Sequence, residues 1–340
     1  MTSSTPPCPS CSTPCHGPFN PIHSGYSLAL CAHCGLAFAL PRPDFQELSD
    51  YYNGFGDRPK KLPEGMVAQI GASLDGLIRS HLPAAVSVLE IGCSTGYILS
   101  ALKARGYRVT GTDLSATAVQ FARETYGVTE MFCAEFPPDE KQGAFDVLIL
   151  SHVIEHVLHP AEFLVQSLRF LRPGGIALIL TPNFDSFGIR WFGTKYPVFC
   201  PPGHLSYLTV RSLRFMADHA GAEVLDCRTE SSSRDTRTVV FNCVVAALGC
   251  LQIKGFLRNM MSRRSSPPND TPRQNPSAPA HAPLNSDQPL LRFSMWAGRW
   301  LQRCLSPVFS GLDRKQKGEN IIAVLRKKQP LPPQQDVYEK

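Results

Sequence analysis

This 340-residue chain lacks several things, and each absence narrows what it can be. No window strings together the roughly 18 uninterrupted apolar residues of a membrane-spanning helix. The nearest, Val239 to Leu251, is broken by Asn242 and followed by Gln252 and Lys254. The Ser/Thr/Pro-rich amino terminus has no basic stretch running into an apolar one, so no secretory leader is expected. The 12 cysteines are then expected to be reduced, in a cytoplasmic setting. Between Cys8 and Cys34 there is no Lys or Arg, which argues against a nucleic-acid phosphate contact there.

Charge is unevenly spread. The formal net charge is +6, yet residues 251–340 carry 15 Lys and Arg against 6 Asp and Glu, so the remainder is slightly acidic. A basic tail on a near-neutral body suits an anionic surface or ligand, or is simply solvated. Within the tail, Ser262 to Pro289 holds seven prolines and almost no large apolar residues. Such a stretch cannot offset its ordering entropy and reads as disordered. Leu290 to Leu312 then sets Trp296, Trp300 and aliphatic residues at helical spacing among Arg292, Arg299 and Arg303. That pattern fits a helix packed on the core or one lying on a membrane surface.

From about Ala85 to Glu230, short apolar runs alternate with helical patterns. Val86–Ile91, Tyr107–Thr112, Phe145–Leu150 and Ile176–Leu180 read as strands. Tyr97–Ala104, Ser115–Tyr126 and Ala161–Leu171 read as helices, the last ended by Pro173-Gly174-Gly175. Alternation of this kind implies βαβ units and an α/β, doubly wound, mostly parallel sheet. Asn320 to Leu325 reads as the sheet's last strand, rejoining after an insertion.

Glu90-Ile91-Gly92-Cys93-Ser94-Thr95-Gly96 lies between a predicted strand and a predicted helix. Gly92 permits backbone angles closed to other residues and a close ligand approach, and Gly96 permits tight helix–strand packing. Asp113, about 20 residues on and directly after the next strand, stands where an acid would hold a ribose hydroxyl pair. Cys93 and Ser94 replace a glycine of the dinucleotide pattern, and no Lys-Ser/Thr pair follows, which excludes a P-loop.

This ordered set resembles the class I S-adenosylmethionine (AdoMet)-dependent methyltransferases. It comprises Val88 to Gly96, Gly111-Thr112-Asp113-Leu114-Ser115, Phe145-Asp146-Val147, His152-Val153-Ile154-Glu155-His156-Val157 and Leu171-Arg172-Pro173-Gly174-Gly175. The resemblance implies a seven-stranded sheet and AdoMet as cofactor. It implies cofactor contacts from Glu90, Gly92, Cys93 and Gly96, from Asp113 to the ribose, from Leu114 beside the adenine, and from Ser151 beneath. An acid often contacts the adenine amine in such enzymes. Here Cys133-Ala134-Glu135 occupies that place, with Ala134 the expected neighbour of the base.

Lifted from context, His152-Val153-Ile154-Glu155-His156 matches a zinc-protease pattern, but it begins at a strand end rather than on a helix. Ubiquinone-pathway O-methyltransferases carry acids at the first and fourth positions of this stretch and a histidine at the fifth, linked to a metal. This chain keeps two of the three, Glu155 and His156. His152 is expected to open on the acceptor as a general base, with His204 in Pro201-Pro202-Gly203-His204-Leu205 a second candidate. An aromatic loop, from Phe184 to Phe199, forms an acceptor wall, a lid or a satellite cluster.

Cys8-Pro9-Ser10-Cys11 and Cys31-Ala32-His33-Cys34 are two C-x-x-C knuckles separated by 19 residues. Four thiolates so spaced suit a closed, tetrahedral, structural zinc, with Cys15, His16 and His33 outside the ligand set. Some similar methyltransferases carry such a ribbon ahead of the catalytic domain. The expected organisation is a ribbon at 1–43, a helical linker at 44–84, the core at 85–230, a helical insertion at 231–318 with 262–289 disordered, the last strand at 319–328 and a tail at 329–340. The expected function is methyl transfer from AdoMet to a small-molecule or lipid-linked acceptor, on oxygen or carbon. An inactive scaffold with a ribbon interaction module and a membrane-surface-associated methyltransferase are the alternatives.

Overall fold

The computed structural model describes residues 6–17, 19–22, 25–44, 46–48, 51, 60–231 and 310–328. The expectations for 262–289, for all but the end of 290–312, and for 329–340 lie outside them.

The chain opens with three short strands, β1 (Asn20–Pro21), β2 (Ser27–Leu30) and β3 (Ala37–Leu40), then a helix α1 (Glu64–His81). The alternating core follows: β4 (Ser87–Ile91), α2 (Tyr97–Lys103), β5 (Arg108–Asp113), α3 (Ala116–Tyr126), β6 (Met131–Cys133) and β7 (Phe145–Ser151). It continues through α4 (Pro160–Leu168), β8 (Leu171–Pro182), α5 (Phe187–Phe192), β9 (Ser206–Tyr207), α6 (Val210–His219), β10 (Ala222–Glu230) and β11 (Asn320–Lys327).

Seven strands form one sheet in the order β10-β11-β8-β7-β4-β5-β6. The five from β8 to β6 are mutually parallel, while β11 runs antiparallel between β8 and β10. The expected doubly wound, mostly parallel seven-stranded sheet is therefore present, with β11 inserted rather than added at an edge. Strands buried on both faces need apolar side chains at every position. Burial accordingly splits by alternation: Leu89, Leu148, Leu150, Ala177 and Ile179 join one core, and Val88, Val147, Ile149, Ile176 and Leu178 the other. Burying each large aliphatic side chain contributes about 1.5–3 kcal/mol.

Local signals set the ends of the helices. Ser115 caps α3 by accepting from Ala118 N at 3.2 Å, and Gly127 closes it in a left-handed conformation. Thr209 and Ser212 form a reciprocal capping box on α6. The Pro173-Gly174-Gly175 run does not end a helix as expected. The helix stops at Leu168, and the run lies inside β8, where the β7–β8 register shifts between Phe145 and Val147. An irregularity in the ladder absorbs residues that would interrupt a regular strand.

A second sheet, β1-β2-β3-β9, is antiparallel throughout. Its last strand, Ser206–Tyr207, comes from the core part of the chain and pairs with Ala37–Phe38. The cysteine-bearing segment and the loop after His204 are thus one sheet. Among the described residues no helix is long and apolar enough to cross a membrane.

Candidate functional site

Open α/β sheets bind ligands at the carboxyl ends of their strands. Here β5, β4 and β7 lie side by side and end at Asp113, Ile91 and Ser151, so their following turns converge. Gly92 has φ +68°, and a Cβ there would lie 2.6 Å from Val153 Cγ2. Only glycine fits that turn, which packs directly on the segment leaving β7. A Cβ on Gly96, φ +76°, would meet Ala122 Cβ of α3 at 2.7 Å, which is the tight helix packing that position requires. Cys93 contributes main chain to the turn, with its N donating to Thr112 O at 2.9 Å. Its thiol is buried against Met131 Sδ, 3.8 Å away.

Asp113 ties this turn together. Its Oδ2 accepts from Ser94 N at 2.7 Å and its Oδ1 from Ser115 N at 2.8 Å. A carboxylate oxygen has two acceptor positions, so each keeps one for a ligand hydroxyl. Glu90, the penultimate residue of β4, is 2% exposed, and its Oε2 has no hydrogen-bond partner. Burial holds its carboxyl well above the usual carboxylate range, and the charge of Asp113 adds to the effect. A buried acceptor left unpaired is costly, so this atom is where a cationic or hydrogen-donating ligand group would bind most favourably. Leu114 is 71% exposed, an apolar surface at the rim. Cys133 Sγ lies 3.6 Å from Leu114 O, so Leu114 and the half-buried Ala134 flank one edge. Donors, acceptors and apolar rim together fit AdoMet. Asp146 is different: it sits at the start of β7, at the opposite end of the sheet, and binds Val86 N, Ser87 and Arg172.

Beyond β7 the chain makes a sharp corner, with His152 at φ +55°. His152 Nδ1 lies 3.2 Å from Glu155 Oε1, and Thr181 Oγ1 donates to Glu155 Oε2 at 3.0 Å. Burial pushes the Glu155 carboxyl up, but His152, His156 and His204 overrule it and the net effect is downward. His156 Nδ1 lies 2.8 Å from Gly203 O and His204 Nδ1 2.8 Å from Val198 O. A carbonyl only accepts, so both Nδ1 atoms carry protons and Nε2 is the basic nitrogen of each ring. The two rings meet edge to face at 4.8 Å, and burial lowers the His156 pKa. Donor atoms of Glu155, His156 and His204 all lie within 4.8 Å of one another. One buried carboxylate with two imidazoles anchored through Nδ1 fits a divalent cation. Pro182, Phe184, Ile189, Val198, Ser206 and Tyr207 pack around Glu155 and His204, and Ser206 Oγ is buried without a partner among the described residues.

Sequence reading missed Arg42. Its half-buried guanidinium donates to Leu205 O at 2.8 Å and to Val157 O at 3.4 Å, and also binds Leu158 O. It thereby grips the chain just after His204 and just after His156. A single arginine outside any motif gives no local signal of this. Leu205 N and Ser206 N also donate to Glu155 O, at 2.9 and 3.0 Å.

The four cysteines converge. Cys8 Sγ–Cys34 Sγ and Cys11 Sγ–Cys31 Sγ are both 3.5 Å, close to the roughly 3.8 Å edge of a tetrahedron with Zn–S bonds of about 2.3 Å. They are free thiols, and the hydrogen bond shared with Cys8 lowers the Cys34 thiol pKa. The cluster fits zinc. Cys15 bonds to Thr13 O and His33 packs on Phe215 at 5.3 Å, both outside that group.

A family model described as a methyltransferase domain matches residues 44–226. A probable S-adenosylmethionine-dependent methyltransferase of Mycolicibacterium smegmatis is 34% identical over 43% of this chain and 56% of its own length. A ubiquinone biosynthesis O-methyltransferase of Caulobacter vibrioides is 30% identical over 38% of this chain and 54% of its own. The chain thus spans about half the length of the curated relatives it matches. Among solved structures, a SAM-dependent methyltransferase from Archaeoglobus fulgidus aligns over 76% of this chain and 94% of its own, at 15% identity and a TM-score of 0.40.

Proposed function

This chain belongs to the methyltransferase-domain family, and from that membership we propose that it transfers a methyl group from AdoMet to an oxygen or carbon of a small or lipid-linked acceptor. The observation that carries the reading is the buried Glu90 carboxyl, its Oε2 unpaired at the end of β4 beside Asp113. Glu90 and the turn from Gly92 to Gly96 would hold the methionine end, Asp113 the ribose, Leu114 and Ala134 the adenine, and Ser151 the face beneath. AdoMet supplies an electrophilic methyl carbon, so the protein's task is to align the acceptor in line with it.

A hydroxyl or carbon acid also needs a base. His152 is half-exposed, and its Nδ1 pairs with Glu155, so Nε2 is the basic nitrogen and the carboxylate supports the imidazolium that forms. His204 offers the same nitrogen, with the Val198 carbonyl rather than a carboxylate behind it. A divalent cation held by Glu155, His156 and His204 would supply Lewis-acid polarisation of an acceptor oxygen. The Cys8, Cys11, Cys31 and Cys34 set would hold a structural zinc.

Titration calorimetry with AdoMet tests the reading. Saturable binding is expected, weakened on the order of tenfold or more by Asp113→Ala, since a hydrogen bond to a charged group contributes about 1.5–3 kcal/mol. Absence of heat in the wild-type chain would remove the proposal. Labelled AdoMet incubated with host extract would then reveal the acceptor.

A further inference from the structure

Beyond the Glu155–His204 cluster the protein has an open cavity of about 380 Å³ that the methyl-transfer reading does not use. Arg211, Arg214, Lys315 and Lys317 line it, with Gln316 and a single carboxylate, Asp185. Asp185 Oδ1 is 3.8 Å from Lys317 Nζ, and among the described residues the other three cations make no ion pair. The concavity therefore holds three positive charges in excess. Like charges repel in the ligand-free state, and a concave wall focuses their field on whatever enters.

The cations stand on fixed supports. Arg211 Nη2 donates to Ala32 O at 2.9 Å and to His33 O at 2.6 Å, neutral acceptors that orient the guanidinium without cancelling its charge. The Lys315–Lys317 turn is held from within by Lys317 N to Leu312 O at 2.8 Å. From outside, Asn183 Nδ2 donates to Gln316 O at 3.3 Å and to Gly318 O at 2.8 Å. Position matters as much as charge. Phe184 packs at the histidine cluster and Asp185, the next residue, lines the basic cavity. The turn that leaves the carboxyl end of β8 thus contributes one residue to each.

We propose that this cavity is an anion subsite that holds the phosphate or diphosphate group of the methyl acceptor. Its assignment to the acceptor rests on the methyl-transfer reading; its chemistry does not. A phosphate carries nearly two negative charges at neutral pH and several acceptor oxygens, which suits arginine forks and lysine point charges better than a lone carboxylate would.

The test is calorimetric titration of inorganic pyrophosphate into the full-length, zinc-loaded protein. Saturable binding is expected, weakened about tenfold by Arg214→Gln and again by Lys315→Gln, and falling as salt rises. Both side chains are exposed, so the variants should fold as the parent does. No saturable binding, or equal binding by the parent and the double variant, overturns the proposal. Flotation with phosphatidylcholine vesicles containing phosphatidylglycerol separates the sources. Vesicle binding that needs Arg214 and Lys315, in a chain that ignores pyrophosphate, would overturn the acceptor subsite in favour of a lipid surface. AdoMet titrated into the same sample reports separately on methyl transfer, so a silent AdoMet titration with intact pyrophosphate binding removes that reading and leaves the anion site standing.

Discussion

At Asp146 one carboxylate closes the amino ends of two neighbouring strands. Its Oδ2 accepts from Val86 N and Ser87 N, both at 2.8 Å, and from Ser87 Oγ at 2.9 Å. Burial pushes its pKa up, yet these bonds and Arg172 prevail and hold it at about 2 against an ordinary 3.8. A depressed folded-state pKa contributes stability that is fully present above the unfolded value and is lost as pH falls toward the folded one. That contribution is about 2 kcal/mol. Urea unfolding between pH 4 and 2 should therefore show a steep loss of stability that Asp146→Asn flattens; equal slopes would count against this account. Arg42 gives a second case. Arg42→Ala should destabilise by about 1–2 kcal/mol in thermal unfolding, because it removes the bonds to the half-buried Val157 and Leu158 carbonyls, while Leu205 O keeps its bond from Ala39 N. Arg42→Lys should not restore it, since an ammonium cannot reach carbonyls on two segments at once. A Lys variant as stable as the parent would refute the clamp.

Among the elements, β4, β7 and β8 were legible because burial on both faces forces largely aliphatic runs bounded by turns, and β5 because it falls between two helices and ends at Asp113. The glycine turn and Asp113 were legible because backbone geometry and ligand chemistry constrain them together. The strand β9 was not. Two residues carry no periodicity, and the partner of Ser206–Tyr207 lies far away in sequence at Ala37–Phe38. The Glu155–His204 contact was hidden for the same reason, although each residue drew notice singly. This pairing makes the cysteine-bearing segment a support for the His204 loop. At the proposed zinc site, Cys31→Ser should abolish metal binding and raise hydrogen exchange both at Ala37–Leu40 and at Leu205–Tyr207, read by mass spectrometry. Faster exchange confined to the cysteine segment would show that the two parts are not coupled.

For the whole molecule, the informative feature is how β10 and β11 meet. Glu230 pairs with Asn320 at the end of their ladder, and Gly318 N donates to Thr229 Oγ1 at 3.0 Å. The chain leaves and re-enters the sheet at neighbouring points, so the intervening residues can be shortened without moving either strand. Replacing 232–309 by a short Gly/Ser linker should preserve cooperative unfolding and AdoMet affinity. Loss of the fold would show that the removed residues complete the core. Truncation after Glu230 should fail, because β11 fills the interior of the sheet between β8 and β10.

The shared ribbon sheet also has a consequence in time. During synthesis the cysteines and β3 emerge long before Ser206, so β3 must wait with an open edge at Ala37–Phe38 until the core strands have been made. The cysteines can gather early, but the edge closes only when nearly the whole α/β body exists. The newborn chain is therefore most prone to pair with the wrong strand in that interval.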